Sequence, residues 1–233
     1  MKFVRLGDVA RIVCGGSLDR SNSACWNGSI PWVTTKDIRG ARINDSLERI
    51  TEFGLKESAS VLLPVGSILV QASITLESVV FNDVPVAINK DLKAIIIEAP
   101  DIDRNYLQQF LLSKVNKLEV RGMEWMKNGH ATEMLADMNI PLLPLEEQRR
   151  IVLILDKADA ICKKRRATLN LADNFLHSIF LEGPILPIAA QKRYLQIHNK
   201  MISIKEKLAT ELAQSNMLFN SLASSVFTSP EAA

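Results

Sequence analysis

Thr34-Thr35-Lys36 follows the apolar run Ile30-Pro31-Trp32-Val33 and sets two hydroxyls and an ammonium group at the end of a brief strand. Gly15-Gly16-Ser17 makes a second such place, a turn whose small residues leave backbone N–H groups open to a ligand. Short hydroxyls, an exposed lysine and free N–H groups suit phosphate oxygens and base edges. Taken singly, a plain turn is the simpler reading of either. Lys163-Lys164-Arg165-Arg166 is the one basic run, and a solvated helix face explains it better than phosphate contact.

Catalytic patterns do not appear. There is no glycine-rich phosphate loop, no Gly-x-Gly-x-x-Gly after a strand and no Gly-x-Ser-x-Gly elbow. His130, His177 and His198 are scattered; only His130, next to Gly129 in a loop, has a place where it could touch a ligand. The carboxylate pairs Asp101/Asp103 and Glu146/Glu147 stand at helix starts, where the helix dipole accounts for them. Cys14, Cys25 and Cys162 lack metal-ligand spacing and read as reduced thiols. A self-contained hydrolase or nuclease therefore finds no support, and no metal or cofactor is expected on this chain.

Composition narrows the class further. Apolar residues make up 47% of the 233 positions, enough for a core, and charged residues 23%. Residues 1–140 carry 16 Lys and Arg against 17 Asp and Glu; residues 141–233 carry 12 against 9. The first part thus lacks the basic stripe that usually marks a nucleic-acid binder. Charge and glycine arrive too early for a secretory leader, and no apolar run approaches the ~18 residues that span a bilayer. The expectation is a soluble, cytoplasmic protein.

The elements that would position these residues divide in two. Through residue 140 the pattern is strand-rich: a short helix from Asp8, a strand through Ile12 and Val13, a polar loop over 18–30, and the Ile30 strand. A turn capped by Thr51, the Gly66–Val70 strand, a hairpin with Asn82-Asp83 at its tip and a buried strand over Leu92–Glu98 follow. A helix from Asp103 to Gly122, a loop over Met123–Gly129 and one turn over 132–137 lead to Met138-Asn139-Ile140. Then the period changes for good. Ile140-Pro141-Leu142-Leu143-Pro144-Leu145-Glu146-Glu147-Gln148-Arg149-Arg150-Ile151 opens a long helix, and a degraded copy begins at Pro184, 43 residues after Pro141. Among the identical pairs are Pro144/Pro187, Gln148/Gln191, Arg150/Arg193, Ile154/Ile197 and Ile161/Ile204. Helices over about 145–181 and 189–227 carry heptad rows, Ile151/Ala158/Arg165 with Ile154/Ile161/Thr168, then Met201/Leu208 with Ile197/Ile204. Such rows need a partner, and the short Gly183-Pro184 connection favours antiparallel neighbours, each roughly 50 Å long. The expected fold is an α+β (mixed α/β) globular domain over 1–140 and an antiparallel helical hairpin or coiled coil, its two regions 141–183 and 184–233.

Several phrases, in this order, carry a resemblance. Val4-Arg5-Leu6-Gly7-Asp8-Val9-Ala10, Gly15-Gly16, Ile30 through Ile38, Leu63-Pro64-Val65-Gly66-Ser67-Ile68-Leu69, Ala87-Ile88-Asn89-Lys90-Asp91 and Ile140 through Ile151 with Leu155-Asp156 are collinear across the chain. They resemble the DNA specificity subunit of type I restriction–modification systems. The family usually alternates two target-recognition domains with two helical regions, and this chain looks like a half-length form with one such domain. Gln71 through Glu77 stands where the family often has a basic, glycine-containing stretch, and Lys90 where Gln is frequent.

The resemblance implies a non-catalytic subunit that reads one half of a split site on double-stranded DNA and positions an adenine methyltransferase. S-adenosylmethionine would sit on that modification subunit, with a restriction subunit as a further companion. Gly15, Gly16, Ser17, Thr34, Thr35, Lys36, Ser73, Thr75, Asn89, Lys90, Lys127 and His130 are the residues expected to face DNA. Gln148, Ile151, Leu155, Ala158, Ile161, Ile197, Met201, Ile204 and Leu208 are those expected at subunit interfaces. One domain reads half a site, so two copies would pair through their helices. The competing reading is a remnant scaffold that binds the methyltransferase without reading DNA.

Overall fold

A computed structural model describes residues 2–71, 79–121, 131–182 and 188–227. Two compact units divide the chain: one runs to Val152 and also takes in Phe227, the other is Leu153–Val226. No helix among the described residues is long and apolar enough to cross a membrane.

Among its described residues the first unit, the head, is built on three sheets. Strand β1 (Lys2–Arg5) pairs antiparallel with a late strand, Asn139–Leu142, so that Lys2 faces Leu142 and Arg5 faces Asn139. The chain's beginning is thereby tied to the strand that delivers it to the first long helix. A five-stranded sheet follows the order β2 (Ala10–Cys14), β9 (Leu92–Ile97), β6 (Ile68–Gln71), β7 (Val79–Asn82), β4 (Arg42–Ile43). Its inner strands are continuous apolar runs because neither side meets much water: Ile68, Leu69, Val80, Ala94 and Ile95 are buried. The third sheet sets β3 (Trp26–Val33) between β5 (Glu48–Ile50) and β8 (Ala87–Ile88). Thr51 caps the helix Glu52–Glu57 by accepting from Gly54 N at 3.0 Å, as its sequence position suggests.

Three expectations need correction. The first helix begins at Leu6, ahead of Asp8, and Asp8 instead pairs with Arg5 at 2.9 Å. The polar stretch 18–30 is not all loop: a helical turn over Ser23–Cys25 leads into β3 at Trp26, whose pairing with Ile50 outweighs the polarity of its neighbours. Asn82-Asp83 is no hairpin tip. The Asn82 side chain is buried and donates to the carbonyls of Pro64 and Val84 at 2.8 and 2.9 Å. It turns the chain out of the five-stranded sheet, and β8 joins β3 in parallel, while β7 pairs with β6 and β4.

Gln148 lies in the first turn of the long helix Leu145–Glu182 and is fully buried. Its Oε1 accepts from Asp103 N at 2.8 Å, and its Nε2 donates to the carbonyls of Asp101 and Leu143 at 2.8 and 2.7 Å. Asp103 in turn caps the helix Arg104–Arg121, accepting from Asn105 N and Tyr106 N. One amide thus joins the starts of two helices. Phe227, the last residue of the helix Ile188–Phe227, packs on Tyr106 and Phe110 with ring centroids 5.5 Å away in each case, and Lys114 Nζ donates to its carbonyl.

The second unit is a pair of long helices joined across residues 183–187. Arg165 holds them in register: it donates to the Glu211 carbonyl at 2.9 Å and to Ser215 Oγ, and its guanidinium lies near the Glu211 carboxylate. The row of Ala158 and Arg165 turns inward together with that of Leu155, Cys162 and Leu169, and the row of Ile154 and Ile161 does not. Leu155 is buried and Ala158, Cys162, Arg165 and Leu169 are half-buried, whereas Ile154, Ile161 and Thr168 are exposed. The return helix does likewise, with Leu208, Leu212, Ser215 and Phe219 shielded and Ile204, Leu218 and Leu222 exposed. A two-helix seam covers a narrower stripe than the sequence provides.

Replacing Gln148 by Leu keeps the volume but strands one buried N–H and two carbonyls. Urea unfolding should show a loss of about 3 kcal/mol or more; a loss under about 1 kcal/mol would contradict this role. Burial pushes the Tyr106 phenol up to about 12, while its hydroxyl donates to the Pro141 carbonyl at 2.9 Å. The folded chain therefore keeps a proton that the unfolded chain releases from about pH 10 upward, and stability falls as pH rises through that window. Tyr106→Phe should flatten the decline between pH 10 and 12 relative to the unsubstituted chain in parallel unfolding titrations.

Candidate nucleic-acid interface

Strands β3 and β8 run parallel with Val33 facing Ile88, so Thr34 and Asn89 leave the sheet side by side. Asn89 N donates to the Val33 carbonyl at 3.0 Å, and Gly16 bridges to Asn89 with its N–H on the Ile88 carbonyl at 3.0 Å. Three segments far apart in sequence, Gly15-Gly16-Ser17, Thr34-Thr35-Lys36 and Asn89-Lys90, are thereby gathered at one sheet end.

The local chemistry sorts these residues. A side chain on Gly15 would come within 1.8 Å of the Asn89 carbonyl oxygen, and one on Gly16 within 1.9 Å of the Ser58 oxygen. The glycines are there so that backbones can touch. The expectation that this turn offers free N–H groups is not met: Gly15 N donates to Leu92, Gly16 N to Ile88 and Ser17 N to Ser58. Thr34 is also committed. Its N and Oγ1 both reach Asp37 Oδ2 at 2.8 Å, and it accepts from Lys36 N, closing a capping box around the turn Thr35–Asp37. Asn89 donates to Asp91 at 2.9 Å, and its buried Oδ1 finds no hydrogen-bond partner among the described residues. Ser17, Lys36 and Lys90 remain exposed at this edge, with Thr35 half-exposed. Arg39, which the sequence reading passed over, lies beside Lys36, donating from Nε to its carbonyl at 3.2 Å. Cys14, just before the glycines, shares a hydrogen bond with the Thr132 hydroxyl that draws its thiol below the ordinary range.

Ser73, Thr75, Lys127 and His130 lie outside the described residues. Among the described residues no group of three His, Cys, Asp or Glu side chains could hold a metal ion. The residues expected at subunit interfaces separate in the same way. Gln148, Ile151 and Leu155 are buried within the chain itself; Ala158 and Leu208 are half-buried; Ile161 and Ile204 are exposed at 52% and 50%. Ile197 and Met201 fall on the return helix, and their side chains are outside the described set.

Set against known proteins, residues 1–171 match the family described as the type I restriction modification DNA specificity domain. A type I restriction enzyme specificity subunit of Escherichia coli is 30% identical over 175 residues, covering 69% of this chain and 41% of that protein. One from Methanocaldococcus jannaschii is 22% identical over 187 residues, covering 76% of this chain and 42% of that protein. The chain thus spans less than half the length of these relatives. In structure it is similar to a protein solved in work on the assembly and conformational transition of the type I restriction–modification system, at TM-score 0.50 and 21% identity, covering 97% of this chain and 45% of that one. The HsdS subunit from Thermoanaerobacter tengcongensis gives 0.49 over 97% of this chain and 44% of that one, again at 21% identity. The family match over residues 1–171 and the 30% identity to the Escherichia coli subunit over 69% of the chain lead to one conclusion: this chain belongs to the type I restriction–modification DNA specificity subunits.

Proposed function

We propose that the head reads one half of a split DNA site and that the helical unit presents a methyltransferase subunit to it. The observation that carries this reading is the family match together with the gathering of Ser17, Thr35, Lys36 and Lys90 at one edge of the head. Lysines there meet phosphates and fix the register of the duplex, which needs only a few cations on an otherwise near-neutral domain. Methyl transfer belongs to the partner, which would carry S-adenosylmethionine and swing its target adenine out of the stack.

The exposed rows of the hairpin supply the assembly half of the proposal. Ile154 and Ile161 on one helix are 45% and 52% exposed, and Ile204 and Leu218 on the other 50% and 71%, apolar rows that a second hairpin or the methyltransferase would cover. A twofold pair of hairpins would carry two identical heads and make the recognised sequence palindromic.

Two measurements test these halves separately. Lys36→Ala and Lys90→Ala should each weaken binding to all duplexes alike and reduce the salt slope of the binding constant by about 1. Slopes identical to the unsubstituted chain would remove the lysines from the interface. Light scattering of the complex with its methyltransferase should give two copies of this chain. Ile161→Glu with Ile204→Glu should halve that number, and a single copy in the unsubstituted complex would overturn the pairing.

A further inference from the structure

We propose that Arg20 is a base-reading side chain of the head, taking the major-groove edge of a guanine, with Glu48 as the residue that positions it. The inference rests on the DNA-reading function above and names a specificity determinant for it. An open depression of about 510 Å³ at the β3–β5 edge is lined by Arg20, Trp26, Asn27, Leu47, Glu48 and Arg49, among others.

The depression is built by a bulge. Trp26 and Ile30 both face Ile50, so the residues between them are extra to the ladder. Asn27 takes the left-handed conformation at φ 60°, and a side chain on Gly28 would strike the Ile50 carbonyl at 2.2 Å. Arg49 stitches the bulge shut, donating to the Ser29 carbonyl at 2.9 Å and to Asp45 at 2.7 Å. Trp26 is fixed in turn: its indole N–H donates to the Asp19 carbonyl at 3.0 Å, and its ring meets Trp32 edge-on at 6.5 Å.

Arg20 lies on this platform. Its guanidinium carbon is 5.2 Å from the centre of the Trp26 ring, and its two terminal nitrogens donate to the two Glu48 oxygens at 2.6 and 3.0 Å. A guanidinium has five N–H donors, and Glu48 takes two of them. The Nε–H and the remaining terminal N–H groups are left over on a side chain that is 69% exposed. An exposed arginine is ordinarily a floppy chain; here one face and one end are held, so little freedom is lost on binding. The side edge of the fork matches the paired N7 and O6 acceptors of guanine, the commonest specific contact of arginine in the major groove. A phosphate fits worse, because the Glu48 carboxylate beside the guanidinium would repel it. The place is also right: Leu47, on the rim, donates its N–H to Asp37 at 2.7 Å, in the turn that carries Lys36. A phosphate anchor and a base reader would then be neighbours.

Mapping methylated adenines in genomic DNA treated with the complex of this chain and its methyltransferase, with S-adenosylmethionine, gives the motif. Arg20→Ala and Arg20→Lys should relax one guanine position of that motif to any base and leave the other positions as they were. Glu48→Gln should weaken the preference at the same position severalfold. With the unsubstituted complex, replacing that guanine by 7-deazaguanine in a duplex should lower affinity about tenfold, a readout that needs no variant to fold. An unsubstituted complex that methylates at no motif overturns the DNA-reading function and this inference with it. A motif that is unchanged in Arg20→Ala, with no guanine sensitive to the 7-deaza replacement, overturns the assignment of Arg20 alone, even if thermal melting shows that the Arg20–Glu48 clasp stabilises the loop.

Discussion

One buried amide holds the architecture of the head together. The Gln148 side chain has one acceptor and one donor group to place, and it places them on a backbone N–H and two carbonyls from two separate segments. Each of those groups would be costly to leave unpaired away from water. The first turn of the long helix, the cap of the helix Arg104–Arg121 and the turn before Leu145 therefore form as one piece. The same helix Arg104–Arg121 receives Phe227 from the far end of the chain. Phe227 and the starts of two helices thus meet on a small region of the head.

The helical pair shows how a sequence can promise more than a chain alone uses. Two heptad rows are written into each helix, but a hairpin has one seam. Arg165 with Glu211 and Ser215 fixes which residues fill it. A polar contact of this kind at a core position selects one register over its neighbours, since any slip strands the arginine. The leftover apolar residues, Ile154 and Ile161 on one helix and Ile204 and Leu218 on the other, are the physical basis of the assembly proposed above.

Much of this was legible in the residues. Periodicity gave both long helices to within a residue or so of Leu145–Glu182 and Ile188–Phe227, and Thr51 announced the helix it caps. Long-range pairing was what local patterns could not supply. Asn82-Asp83 has the composition of a hairpin tip, yet Asn82 bonds to Pro64, eighteen residues back, and the chain changes sheets. Gly15-Gly16 and Thr34 carry the right types for ligand contacts, but their polar groups are consumed by Leu92, Ile88 and Asp37, the first two invisible at sequence distance. Arg20 and Glu48, 28 residues apart, pass unnoticed for the same reason. No spacing rule links them; only the bulge in β3 does.

We propose one reading head, present twice by symmetry, that lends its sequence choice to a separate methyltransferase. Sequencing of modified bases in DNA exposed to a complex whose specificity subunit is this chain alone tests it most directly. Methylated adenines are expected in a split motif whose two halves are the same sequence on opposite strands. Two unlike halves, or methylation without any motif, would contradict it.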